Sequence, residues 1–197
     1  ADHFAHEGML KRVIGGHYNM VPELGKLITD NKLEAYNLPQ GTLSQLYRDI
    51  AAHKLGTLTH VGMNTFADPR IEGGKLNDVT TEDIVEVVEV LGEERLLYKA
   101  QKFDIGFIRG SYADENGNVT LEHECCTTEA TSIAQAVKNC GGKVVVQVEK
   151  VVQDGCVDPK LVKIPGIYVD AIVVCENKED HAQCQGCEYD GSMTGDF

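Results

Sequence analysis

The sequence predicts an α/β fold: a largely parallel sheet with helices on both faces. Three observations carry that expectation. Short apolar runs rich in Val and Ile alternate along the chain with stretches of helical period. Glycine is abundant at 20 residues, which suits a fold with many short connections. Aromatic residues are scarce at 6% and tryptophan is absent, while the apolar fraction of 42% is enough for a buried core.

Taken in order, residues 7–34 read as helix, strand, helix. Val13-Ile14 is a short apolar strand that stops at Gly15-Gly16, and Pro22-Glu23 opens a helix with Leu24, Leu27 and Ile28 on one face. Leu33 to Leu38 alternates as a strand and ends at Pro39. Thr42 follows as an N-cap for a helix that repeats apolar side chains at Leu43, Leu46, Tyr47 and Ile50. Residues 53–80 are loop-rich. Residues 81–91 fit two states: Thr81-Glu82-Asp83 resembles a helix start, whereas Ile84, Val85, Val87, Val88 and Val90 favour a strand.

Further along, residues 103–110 read as a buried strand and Asp114–Asn118 as a turn. Thr127 to Asn139 is a helix with Ala130, Ile133, Ala134 and Val137 inward, ended by Gly141-Gly142. Lys143–Val152 reads as one long strand and Tyr168–Val174 as a final buried one. After Cys175 the apolar period disappears, so 176–197 is expected to be a linker or an unsupported tail.

Charge narrows the partners. Thirty-one acidic against 18 basic side chains give a formal net charge of −13, which disfavours nucleic acid and anionic membrane. No run approaches the roughly 18 apolar residues of a membrane span, so a soluble chain is expected. The start Ala1-Asp2-His3-Phe4 has neither an initiator Met nor the basic and apolar regions of a signal peptide, and reads as an internal cut. The seven cysteines are odd in number and include the adjacent Cys125-Cys126, which argues against a disulfide framework. Reduced thiols and a cytoplasmic location are the expectation.

Five candidate sites yield to plainer readings. Cys184-x-x-Cys187 supplies two of the four ligands of a structural zinc, with His181 as a third, but lies in the expected tail, so incidental cysteines are favoured. Gly15-Gly16 and Gly73-Gly74 match neither dinucleotide nor P-loop spacing and read as turn glycines. His3, His6 and Glu7 stand in the wrong order for a zinc-protease motif, and no metal site is expected. Asp114-Glu115-Asn116-Gly117 reads as a surface turn.

The segment Asn37-Leu38-Pro39-Gln40-Gly41-Thr42 differs in kind. A strand that passes through Pro-Gln-Gly into a helix lies at the carboxyl edge of the sheet, where open α/β folds bind ligands. Gly41 permits close backbone approach and Gln40 offers an amide donor and acceptor; a tight turn with a solvated Gln40 accounts for the same residues equally well.

Asn37 to Leu43, followed by a helix with Arg48, resembles the Pro-Gln-Gly-Thr segment in the first half of family I coenzyme A transferases. Upstream Lys11–His17, and downstream Asn64–Arg70 with Glu72–Lys75, are similar to the fused single-chain acetate/propionate branch. Ala113-Asp114, Gly117-Asn118, Val146–Glu149, Gly155, Asp158-Pro159 and Ile164–Asp170 follow the same half-domain in the same order. The resemblance divides the chain into a first-half (alpha-like) domain over 1–175, truncated at its N-terminus, and a linker or tail over 176–197 toward an absent second half.

What the resemblance implies is a ping-pong acyl-CoA:carboxylate CoA transfer of the acetate, propionate and 3-oxoacid type. A second-half glutamate attacks the acyl-CoA thioester, and a glutamyl-CoA thioester forms by way of an acyl anhydride. That glutamate is not in this chain, so no catalytic nucleophile is assigned here; Glu115 and Glu72 stand in the wrong positions. Gln40 and Gly41 would serve the substrate and the oxyanion. Coenzyme A is expected as a substrate thioester and not as a permanently bound cofactor. The expected partners are an acyl-CoA, a short-chain carboxylate, the second (beta-like) half and, through the apolar surface of a half-domain, further copies of the chain. A CoA-thioester hydrolase of the same fold, or a non-catalytic binding subunit, are the competing functions.

Overall fold

The computed structural model describes residues 2–183 and 188–196, which fall into two compact units: Ala1–Ile50 with Lys54–Ala100, and Ala51–His53 with Gln101–Phe197. Both are built from strands and helices in the α/β manner.

In the first unit, β1 (Arg12–Gly15) precedes α1 (Pro22–Thr29), β2 (Glu34–Asn37) and α2 (Gln40–Ala51). Pro22 suits the first turn of α1 because its missing N–H has no intrahelical partner there. The turn is capped from a distance: the Asp2 carboxylate accepts the Leu24 N–H at 3.1 Å. Leu24 and Ile28 turn inward onto Leu33 and Ala35. β1 and β2 pair in parallel, Val13 beside Ala35 and Gly15 beside Asn37. Residues 7–11 form turns, not the expected helix, because no helical apolar stripe leads into β1.

Helix α2 begins at Gln40, two residues before the expected N-cap. The Pro39 carbonyl accepts from Thr42 N (2.9 Å) and Leu43 N (3.1 Å), so Thr42 is a buried first-turn residue. The remaining strands, β3 (Gly56–Thr59), β4 (Val85–Val90) and β5 (Glu93–Lys99), form an antiparallel sheet in the order β3-β5-β4. The ambiguous run 81–91 is therefore a strand: its β-branched side chains outweigh the capping pattern of Thr81-Glu82-Asp83. Leu91 (φ 54°) and Gly92 (φ 80°) turn the hairpin with two positive φ angles, as a two-residue connection requires.

The outer side of β2 is closed by a loop, not by another long strand. Asn37 N donates to Gly74 O at 2.7 Å, Leu76 N to Ala35 O at 3.0 Å, and Ala35 N to Thr80 Oγ1 at 2.7 Å. That loop is held by Asp68, whose exposure is 0%. Its carboxylate accepts from Asn64 N (2.9 Å), Arg70 N (3.0 Å), Arg70 Nε (3.0 Å) and an Arg70 terminal nitrogen (2.8 Å). The Arg70 side-chain bonds, which outweigh burial, hold this carboxyl well below the usual carboxylate range.

In the second unit, β6 (Ile105–Arg109), β7 (Tyr112–Asp114), β8 (Val119–Thr120), α3 (Ala130–Asn139), β9 (Lys143–Val148), β10 (Lys150–Val152), β11 (Val162–Ile164), β12 (Ala171–Val174) and the short α4 (Gly191–Thr194) follow in order. β12-β9-β6 is a fully parallel sheet, and β10-β7-β8-β11 is a mixed one. Helix α3 lays Ala130, Ala134 and Val137 on Ile108, Val144, Val146 and Val148, the inward face the sequence predicts. Gly106 permits the contact, since a Cβ there would come within 2.9 Å of Val137 Cγ2.

Three sequence expectations need correction here. The long strand 143–152 divides at Glu149, whose N–H donates to Ser111 O, so the chain leaves β6 and β12 and joins β7. The strand at 103–110 is not buried throughout: it is an edge, with Gly106 and Ile108 under α3 while Ile105 (50%) and Phe107 (67%) are exposed. The strand expected over 168–174 covers only Ala171–Val174, since Gly166–Tyr168 is a 3₁₀ turn and Val173 lies on an exposed edge.

The stretch after Cys175 is also not unsupported. His181 and Gln183 are buried, and Arg109 donates to Ala182 O at 2.7 Å. The lost apolar period hid a segment attached through polar groups.

Asp68→Asn should lower stability by on the order of 2 kcal/mol, because charge-assisted bonds are exchanged for neutral ones. The folded-state pKa is depressed, so the wild-type contribution is complete above the unfolded value of about 4 and is lost as pH falls below it. Urea unfolding of wild type and variant from pH 7 to pH 3 checks this: the gap should narrow toward acid. A gap independent of pH would contradict it.

Candidate functional site

The carboxyl ends of β1 and β2 bring Gly15-Gly16 beside the Asn37–Thr42 segment. Leu38 N donates to Gly15 O at 2.9 Å, which extends the parallel pairing one residue past the strand. Tyr18 folds back over the end of β1 and donates its hydroxyl to Tyr36 O at 2.7 Å. Burial pushes the Tyr18 phenol up to about 12, so it stays a donor at neutral pH.

Gln40, the first residue of α2, lies across Gly16. A Cβ on Gly16 would meet Gln40 Oε1 at 2.0 Å and Gln40 Cβ at 3.0 Å. Only glycine at 16 leaves room for the amide in this position. Sequence reasoning took Gly15-Gly16 as turn glycines; the structure gives Gly16 this second role, which nothing in its spacing signals.

Gly41 behaves oppositely. A Cβ there would meet no atom within 4 Å, and both Gln40 and Gly41 are solvent-exposed. No internal packing calls for glycine at 41, although glycine in a helix is unfavourable by roughly 0.5–1 kcal/mol relative to alanine. The first turn of α2 is therefore bare on its outer side. Backbone N–H groups of a first helical turn have no intrahelical acceptors, and the helix dipole favours negative charge there. The arrangement suits an anionic or polarised oxygen approaching Gly41, with the Gln40 amide alongside.

The Asn64–Lys75 loop supports this corner. Gly74 (φ 73°) passes so close to β2 that a Cβ would lie 2.5 Å from Leu38 Cδ2 and 2.9 Å from Asn37 O. The Gly73-Gly74 pair is thus a packing turn, as its spacing suggested, but one that holds Asn37 and Leu38. Asp68, which sequence reasoning did not single out beyond its motif, is the anchor of that loop.

Other sequence candidates lie away from any such arrangement. The Asp114 carboxylate turns inward and accepts from Asn116 N (3.0 Å), Asn118 N (2.8 Å) and Asn118 Nδ2 (2.8 Å). Burial raises its pKa, but these bonds, those of Asn118 foremost, outweigh burial and hold it below the ordinary range. It serves as a turn brace. Glu115 accepts from Asp154 N at 3.2 Å, and Glu7 pairs with Lys32 at 2.9 Å. Cys184 and Cys187 lie outside the described residues. Among the described residues, no three His, Cys, Asp or Glu side chains gather as a metal-binding group.

A protein-family model described as Coenzyme A transferase matches residues 1–175. The chain is 44% identical over 191 residues to caffeate CoA-transferase of Acetobacterium woodii, with 97% of this chain and 36% of that protein covered. It is likewise 44% identical over 194 residues to acetate CoA-transferase YdiF of Escherichia coli K12, with 98% and 36% covered. A crystal structure of the acyl-CoA transferase YdiF from E. coli O157:H7, as a thioester complex with CoA, superposes with a TM-score of 0.93 at 43% identity, covering 100% of this chain and 40% of that one. The fold recurs in glutaconate coenzyme A-transferase from Acidaminococcus fermentans, with a TM-score of 0.73 at 19% identity, covering 95% and 62%. The chain spans little more than a third of the length of the curated relatives it matches. By the family match and these identities, it belongs to the coenzyme A transferase family.

Proposed function

We propose that this chain contributes the first-half domain of an acyl-CoA:carboxylate CoA-transferase, acting on short-chain carboxylates of the acetate, propionate or 3-oxoacid type. The observation that carries the proposal is the Gln40–Gly41 corner: an exposed helix start at the carboxyl edge of a parallel pair, its amide fitted over Gly16. The relatives named as transferases, one of them studied as a CoA thioester, support the class of substrate.

In this scheme a glutamate carboxylate of the second half attacks the thioester carbonyl and expels the CoA thiolate, leaving an acyl-glutamyl anhydride. The thiolate then attacks the glutamyl carbonyl of the anhydride and releases the first carboxylate. A second carboxylate reverses both steps. Every addition places negative charge on a carbonyl oxygen, and a positioned amide donor is worth about 3 kcal/mol there. Gln40 Nε2 is the donor assigned to that oxygen, or to the glutamyl carboxylate between additions. The bare Gly41 edge lets the reacting group come against the backbone.

Residues 1–175 form the first-half module in this proposal, and 176–197 lead toward the second half. Acyl-CoA, carboxylate, the second half and further copies of the chain are its partners, and the cytoplasm its compartment. Among the described residues no helix is long and apolar enough to cross a membrane.

Three outcomes follow, the first two for the protein carrying both halves. Gln40→Ala should cut kcat by about 100-fold, the equivalent of one oxyanion donor, with an unchanged melting temperature; kcat within twofold of wild type would leave Gln40 a turn residue. Gly41→Ala should stabilise the fold by a few tenths to about 1 kcal/mol while slowing transfer at least tenfold; unimpaired transfer would remove the reason offered for glycine. The 197-residue chain alone should show no exchange between acetyl-CoA and propionate, and turnover by it would overturn the placement of the nucleophile.

A further inference from the structure

The Gln40 amide is placed by a residue that stands outside the Asn37–Thr42 segment. A Cβ on Gly16 would meet Gln40 Oε1 at 2.0 Å but Gln40 Cδ only at 3.0 Å. The amide therefore rests with its oxygen on the Gly16 backbone, and Nε2 is its far end. Any shift of Gly16 moves that support. Gly15 and Gly16 have no side chains to hold them, and glycine populates more backbone conformations than any other residue. We propose that, with Gln40 as the oxyanion donor of the transfer reaction, Tyr18 is its positioning residue and acts through Gly15-Gly16.

Three contacts fix the tyrosine. Its ring packs against the cluster of Leu24, Ile28, Leu33 and Ala35. Its carbonyl accepts from Val21 N at 3.1 Å, which closes the turn into α1. Its hydroxyl donates to Tyr36 O at 2.7 Å, on the residue of β2 just before Asn37. Between these anchors the phenol crosses the end of β1: a Cβ on Gly15 would lie 3.1 Å from the Tyr18 oxygen and 3.2 Å from its Cζ. Gly15 is thus clasped between the phenol and Leu38 N, and Gly16 is the next residue along. A phenylalanine would bury the same ring without the bond to β2. Tyrosine suits a position where a buried hydroxyl finds a partner, and here the partner is the strand that leads to Gln40.

Losing the hydroxyl loosens the Gly15-Gly16 support without removing a group assigned to the substrate. Binding of the acyl-CoA is then kept, while the aim of Nε2 at the developing oxyanion suffers. A displacement of about 1 Å can cost up to roughly 100-fold in rate. Because burial holds the phenol at about 12, it stays a donor across the neutral range, and the loss does not vary with pH there.

The test uses the protein carrying both halves, with Tyr18→Phe, Gln40→Ala and the double variant. Tyr18→Phe should lower kcat by about tenfold, leave KM within about twofold, and keep the same ratio to wild type from about pH 6 to about pH 9. In the Gln40→Ala background it should change kcat by less than about twofold, because the group it positions is gone. A merely structural tyrosine would lower kcat by one factor in both backgrounds. In the 197-residue chain, Tyr18→Phe should speed amide hydrogen exchange at Gly15, Gly16 and His17 by at least about fivefold and leave α3 unchanged. Equal losses in the two backgrounds, unaltered exchange at these amides, or normal kcat in Tyr18→Phe while Gln40→Ala is slow would overturn the proposal. Normal kcat in Gln40→Ala would instead remove the assignment of Gln40, and this role of Tyr18 with it.

Discussion

A single carboxylate with no exposed surface organises the end of the first unit. Asp68 gathers the Asn64 and Arg70 amides and the Arg70 guanidinium, and its backbone carbonyl receives the Ile71, Glu72 and Gly73 amides. Without that knot, the chain from 64 to 75 would be a long loop with little of its own to bury. With it, Gly74 is delivered to Asn37 and closes the open side of β2. Desolvating a charge is costly, and the cost is offset here because each oxygen has at least two donors. The strand edge, the Asn37–Thr42 segment and the placement of Gln40 all follow from this loop.

The same region shows two uses of glycine. At 16 and 74 the lack of a Cβ is a packing requirement, since a side chain would collide with Gln40 or Leu38. At 41 no neighbour demands it. There glycine weakens the helix without relieving a clash. The contrast shows only in part in the sequence: Gly41 falls in the Pro-Gln-Gly-Thr segment, whereas Gly16 and Gly74 read as turn glycines and their close contacts leave no local mark.

Much of the fold was legible in the sequence where one periodicity dominated. α1, α2, α3, β1 and β2 emerge within about three residues of their expected places, because an apolar stripe or alternation agrees with local turn chemistry at each. The failures have physical causes. The β4–β5 hairpin was ambiguous because Leu91-Gly92 is not among the favoured turn pairs, and its strand carries exposed glutamates, Glu86 and Glu89, on both faces. The break at Glu149 was invisible because apolar residues continue across it while the hydrogen-bond partners change. Residues 176–183 were missed because they attach through His181 and Ala182 O rather than through aliphatic side chains. As for the site, the Asn37–Thr42 motif was identifiable as a ligand edge or a turn, but its fit to Gly16 is a contact between residues 24 apart that no local pattern encodes.

The continuous passage from β9 to β10 has a consequence for how the second unit behaves. The same ten residues pair with β6 and β12 at one end and with β7 at the other, with only Glu149 between them. Neither sheet can shed this strand without dragging on its neighbour, so the two layers share one mechanical spine. Fluctuations that open the mixed sheet must be resisted by the aliphatic packing beneath α3. The unit should come apart as a whole rather than layer by layer.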